Sequence, residues 1–118
     1  MKRMLFTFAF VTAIISVQAQ TTHAVEAGGT PTGATLPYFS PQFITINQGD
    51  IVEWTNVQGT HAIDGTTNSF PNNPESFTSG NAGMGWVYSH TFNVPGFYDY
   101  DCPVGNHALT QFGTITVL

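Results

Sequence analysis

At 118 residues, with two basic side chains against seven acidic ones and a formal net charge of −5, this chain has almost nothing with which to neutralise a polyanion. That balance argues against binding to nucleic acid or to anionic lipid, both of which depend on clustered Lys and Arg. The imbalance is steeper than the total suggests, because Lys2 and Arg3 are the only Lys and Arg in the sequence.

Those two residues open a segment with the make-up of a signal peptide. After the positive start comes an apolar run from Leu5 to Val17, and then a small-residue exit, Val17-Gln18-Ala19, before Gln20. The run is shorter than the roughly 20 apolar residues that a membrane helix needs. Residues 1–19 are therefore expected to be removed, leaving a periplasmic or secreted protein without a membrane span. Losing Lys2 and Arg3 takes the formal charge from −5 to −7. A basic partner is then electrostatically favoured, although a merely soluble acidic surface accounts for the charge equally well. The remainder, residues 20–118, suits one domain that buries a core without disulfides.

Short runs of β-branched and aromatic residues, punctuated by Gly, Pro, Asn and Asp, predict strands over 23–27, 43–46, 50–56, 60–64, 86–93, 96–102 and 113–118. Ile51, Glu53 and Thr55 alternate with Val52 and Trp54, and Tyr88, His90 and Phe92 alternate with Val87, Ser89 and Thr91, as half-buried antiparallel strands require. No helical period stands out. Residues 65–85 are too rich in Asn, Ser, Thr, Gly and Pro for a plain hairpin, and are expected to form an irregular excursion. One helical turn is expected near Pro74-Glu75-Ser76, with Phe70 and Phe77 pinning the excursion to the body. The fold class is all-β, a Greek-key β-sandwich of about seven to eight strands.

Cys102 is the only cysteine. A free cysteine is often just a small buried hydrophobe, but an unpaired one in an exported chain is more often intermolecular, reactive or metal-bound. Its setting favours the last. Cys102-Pro103-Val104-Gly105-Asn106-His107 puts a thiol and an imidazole at the two ends of a tight loop between strands. With His61, which follows a Gly-containing turn, the set becomes His2Cys, a donor set that suits copper with a weak axial neighbour. Alone, His61 reads as a polar turn residue. His90 alternates with two aromatics and is given no metal role, and His23 could chelate copper only after an unfavourable cleavage. Asp99 and Asp101 alternate outward and read as solvated. A Ser/His/Asp hydrolase is excluded by the lack of a nucleophile motif such as Gly-x-Ser-x-Gly.

With those residues in view, the region after the signal segment resembles the cupredoxin family, the relatives of plastocyanin and azurin. The likeness runs through Gly49-Asp50-Ile51-Val52-Glu53-Trp54-Thr55-Asn56 to Gly59-Thr60-His61, then Val94-Pro95-Gly96-Phe97-Tyr98-Asp99-Tyr100-Asp101-Cys102, and ends in Phe112-Gly113-Thr114-Ile115-Thr116-Val117. The resemblance implies one copper ion, cycling between Cu(II) and Cu(I), with His61, Cys102 and His107 as ligands. It also implies one-electron transfer rather than catalysis, with His107 as the electron port among Val104, Ala108 and Leu109. The partner would be a redox protein such as a positively charged c-type cytochrome, and the carrier a monomer. The family usually places an axial Met shortly after the second histidine. Here Gln111 stands in that place, as in stellacyanin-like members, and an oxygen donor there lowers the reduction potential. A three-coordinate site capped by Phe112 is the alternative, with Met84 a distant third. Ala62 stands where some members carry Asn, so a backbone N–H is left to serve the sulfur. A copper carrier or store, and a red-copper catalyst with an open coordination position, remain alternative functions.

Overall fold

In the computed structural model of the protein, which describes residues 1–15 and 18–118, the alternating strands assemble into two facing sheets. Val17, in the expected cleavage motif, lies outside the described residues. The first sheet takes the order β2 (Tyr38–Ser40), β1 (Thr22–Gly28), β4 (Ile51–Asn56), β7 (Val87–Thr91). The second takes the order β3 (Phe43–Ile46), β9 (Phe112–Val117), β8 (Gly96–Asp101), β5 (Asp64–Gly65), β6 (Phe77–Thr78). A single 3-10 turn, His107–Leu109, is the only helical element among the described residues. Two parallel pairings, β1 with β4 and β3 with β9, sit among antiparallel ones, because sequential strands cross between the sheets in Greek-key fashion.

The alternation places the core. On β4, Val52 and Trp54 are wholly buried, while Thr55 between Trp54 and Asn56 is exposed. The Trp54 indole lies at the centre, stacked on Phe77 and Tyr88 at 5.7 and 5.6 Å and meeting Tyr100 edge-on at 5.4 Å. Tyr98 and Tyr100 of β8 point inward, and the same parity continues to Cys102. On β9 the inward series is Gly113, Ile115 and Val117, and that parity runs back to Gln111. Gly113 is required where it stands, because a Cβ there would come within 2.6 Å of the Tyr100 hydroxyl and 2.7 Å of the Gln42 carbonyl.

Three expectations are corrected. Residues 60–64 do not form a strand: His61 makes one isolated bridge to Gly83, and β5 is only Asp64–Gly65. Side chains have taken the backbone groups that a strand would need. Trp86 Nε1 donates to the His61 carbonyl, Thr78 Oγ1 to the Ile63 carbonyl, and Ile63 N–H donates to Ser79 Oγ. Pro74-Glu75-Ser76 is a bend, not a helical turn. Buried Asn73 holds the chain just before it, donating to the Gly65 and Asp99 carbonyls and accepting from Asp99 N–H. The nine strands among the described residues exceed the expected count because β2 and β6, three and two residues long, fall below the length at which alternation can be read.

Candidate metal centre

The β8–β9 ladder sets the first two residues of the site. Asp101 pairs with Phe112, so the next rung places Cys102 opposite Gln111, and Cys102 N–H donates to the Gln111 carbonyl at 3.0 Å. Directly opposed residues of an antiparallel pair share a face. Both side chains therefore turn inward at the same end of the sandwich, and both are fully buried.

The loop between them returns the imidazole. His107 N–H donates to the Val104 carbonyl, and the His107 carbonyl accepts from Thr110 and Gln111 N–H at 3.0 and 2.7 Å, which closes the 3-10 turn and swings the ring back over Cys102. The third residue arrives from the other direction: His61 is held against Gly83 by reciprocal backbone hydrogen bonds of 3.0 and 3.1 Å.

These three side chains converge. His61 Nδ1 and His107 Nδ1 are 3.1 Å apart, and Cys102 Sγ lies 3.9 Å from the first and 3.7 Å from the second. His61 and Cys102 are fully buried, and His107 is 8 % exposed. Donors about 2.0 Å (nitrogen) and about 2.3 Å (sulfur) from one shared ion stand about 3 to 4 Å from each other, so the triangle has the size of a coordination site.

The tautomer of His61 is decided by its far nitrogen. His61 Nε2 lies 3.0 Å from the Gly29 carbonyl, which can only accept, so the proton sits on Nε2 and Nδ1 keeps its lone pair for a metal. Burial pushes the His61 pKa down, against the support of the Gly29 carbonyl for the charged form, so the ring stays in its neutral, ligating state. Gly29 has a φ of +80°, and a Cβ there would lie 2.1 Å from the Leu36 carbonyl, so only glycine lets this turn bring its carbonyl against the ring. Burial pushes the Cys102 thiol up, opposed by the backbone N–H groups of Ala62 and Val104.

Gln111 is buried at the same end of the sandwich. Its Nε2 donates to the Tyr38 carbonyl at 3.0 Å, while its Oε1 is buried without any partner. The Gln111 side chain stands beside His61 and favours the charged form of its ring. A buried amide oxygen left unpaired is costly, and here it leaves a spare lone pair on the residue that lies opposite Cys102. Met84 is 75 % exposed and plays no part in the cluster. His90 packs between Phe77 and Phe92 at ring distances of 5.5 and 4.7 Å, and His23 pairs with Asp50. Asp101 is half-buried beside Asp64 rather than solvated, and both that neighbour and burial raise its pKa. Sequence reading did not reach the carbonyls of Gly29 and Tyr38; the only signal was the glycine pair at 28 and 29.

The sequence from 23 to 118 matches the model of the copper-binding proteins of the plastocyanin/azurin family. The chain belongs to that family. Among solved structures, this cupredoxin is similar to a purple cupredoxin from Nitrosopumilus maritimus, at 25 % identity over 80 % of this chain and 98 % of that one, with a TM-score of 0.58. It is similar in fold to plastocyanin from the fern Dryopteris crassirhizoma, at 24 % identity over 81 % and 100 % of the two chains and a TM-score of 0.59. It also shares the fold of pseudoazurin from Hyphomicrobium denitrificans, at 19 % identity over 82 % and 75 % and a TM-score of 0.62. No curated protein sequence matches it. Copper is the cofactor of this cupredoxin, and the His-Cys-His cluster is the candidate site for it.

Proposed function

We propose that this cupredoxin is an exported one-electron carrier, working in the periplasm or outside the cell, with copper held by His61, Cys102 and His107 and with Gln111 as axial donor. The observation that carries the reading is that every proposed ligand residue is anchored by a hydrogen bond of its own, two through the side chain and two through the backbone. His61 is held through Nε2 by the Gly29 carbonyl, Gln111 through Nε2 by the Tyr38 carbonyl, and Cys102 and His107 through backbone hydrogen bonds to Gln111 and Val104. Ligands gripped in this way change position little when charge changes, which is what fast electron transfer needs. Copper supplies a one-electron Cu(II)/Cu(I) couple. Cys102 serves as thiolate, and the two histidines remain neutral.

His107 supports the exchange with a partner. Its ring lies on a pocket of about 410 Å³ that is lined by Pro31, Leu36, Pro37 and Leu109. Leu36 and Leu109 are 53 % and 79 % exposed, so the ligand nearest to solvent has an apolar rim against which a redox protein can dry the contact.

The test is voltammetry with optical and electron paramagnetic resonance spectra of the copper-loaded protein beside Gln111→Met and Cys102→Ser. A reversible couple and an intense visible band are expected, with the band lost in Cys102→Ser and the potential raised in Gln111→Met. Irreversible cycling, with copper passing to an acceptor instead, would replace the electron carrier by a copper carrier.

A further inference from the structure

We infer that Thr110 is a positioning residue, which together with the Pro37 and Tyr38 carbonyls clamps Gln111 so that its amide oxygen, and not its nitrogen, faces the His61–Cys102–His107 cluster. The inference rests on the reading of Gln111 as axial donor and adds what sets that donor in place.

A glutamine amide has two ends of similar size and opposite chemistry. The oxygen offers a lone pair to a metal or a donor, whereas the NH2 group offers only protons. A half-turn of the amide would therefore disable it as a ligand without changing its shape. What decides the orientation is the Tyr38 carbonyl, 3.0 Å from Nε2. A carbonyl only accepts, so a turned amide would set two acceptors against each other in a buried site. The nitrogen is committed to Tyr38, the oxygen is left buried without a partner, and the Gln111 side chain stands beside His61.

That arrangement holds only if the Tyr38 carbonyl is itself held. Tyr38 begins β2, a three-residue strand at the edge of the first sheet, whereas Gln111 leads into β9 of the second. The two sheets are joined there by a second bond: Thr110 Oγ1 donates to the Pro37 carbonyl at 2.6 Å. Adjacent residues on one side thus engage adjacent carbonyls on the other, each across 73 positions of sequence. β1 holds β2 from its own sheet, and one bond to Gln111 would set only a distance across to the second sheet. Two consecutive bonds set distance and direction. The turn before β9 divides the labour, since Thr110 is exposed while Gln111 is buried. Thr110 touches no ligand atom of the cluster and acts only through Gln111.

Thr110→Val removes the hydroxyl at almost constant volume but leaves the carbonyl of buried Pro37 short of a partner, so Thr110→Ser, which keeps the hydroxyl, is measured beside it as the folded control. The measurement is made on the copper-loaded protein. In the reduced, diamagnetic state, hydrogen exchange of the Gln111 side-chain amide is followed by nuclear magnetic resonance. Reduction potential and the oxidised-state paramagnetic resonance spectrum are recorded in parallel. In Thr110→Val the amide protons should exchange about fivefold faster, the loss of one ordinary hydrogen bond. The potential should rise in the same direction as in Gln111→Met but by less, and Thr110→Ser, which keeps the hydroxyl, should restore both. If Gln111→Met shifts the potential and Thr110→Val changes neither exchange nor potential, the clamp is wrong. If Gln111→Met leaves potential and spectrum unchanged, the axial reading fails by itself; faster exchange in Thr110→Val then upholds the clamp, and an unchanged rate overturns it.

Discussion

Asp50 shows how one side chain can tie two segments together. Its carboxylate accepts from His23 Nε2 at 2.9 Å, from Thr21 N–H at 3.1 Å and from Asn47 N–H at 3.0 Å, joining the start of β1 to the turn before β4. The hydrogen bond from His23 lowers the Asp50 pKa most, followed by those from the two backbone N–H groups. A carboxyl with a folded pKa below its unfolded value, about 3.9, stabilises the fold above that pH and loses the contribution as pH falls through the folded value. Asp50→Asn should therefore melt at a lower temperature than the parent near pH 7, and the gap should close on acidification below about pH 4. A gap of equal size at both pH values would show that the charge of Asp50 contributes nothing. At this scale the sequence was informative wherever a side chain had distinctive chemistry: Cys102, His61 and His107 were recognisable as a donor set, and the structure brings all three together.

Among the elements, β6 shows why burial, and not length, decides what a strand contributes. It has two residues, yet Phe77 within it is buried and packs on Trp54, Phe92 and Tyr100 at ring distances of 5.7, 5.1 and 5.9 Å. Phe77→Ala would leave a cavity beside the central indole and should cost about 3 to 5 kcal/mol, read as a lower denaturant midpoint with the slope unchanged. Phe70, expected to pin the same excursion, is only half-buried. Phe70→Ala should lower the midpoint by clearly less, and equal losses would mean that both rings anchor the segment. Sequence alternation read β4, β7, β8 and β9 well, because each keeps its parity over five or six residues. It missed β2 and misread 60–64, where pairing depends on which distant side chains reach the backbone first.

Across the whole molecule the dominant feature is charge. Without residues 1–19 the chain carries no Lys or Arg, and the apolar rim around His107 is set in a protein of strongly negative charge. If the partner is cationic, its association rate should fall about tenfold or more as the Debye length shrinks from about 30 Å at 0.01 M salt to about 8 Å at 0.15 M. Stopped-flow kinetics with a c-type cytochrome would measure this, and a rate independent of salt would remove the steering role.

What the sequence determined by itself was the donor set of His61, Cys102 and His107, the tight loop that joins the last two, and an all-β sandwich to contain them. What only the tertiary structure decided was how those donors are held: the Gly29 carbonyl on His61, the Tyr38 carbonyl on Gln111, and Thr110 beside it. The reason is physical. Side chains differ from residue to residue and announce their chemistry in the sequence, whereas every residue has the same carbonyl, and which one reaches a ligand is settled only when distant strands pack.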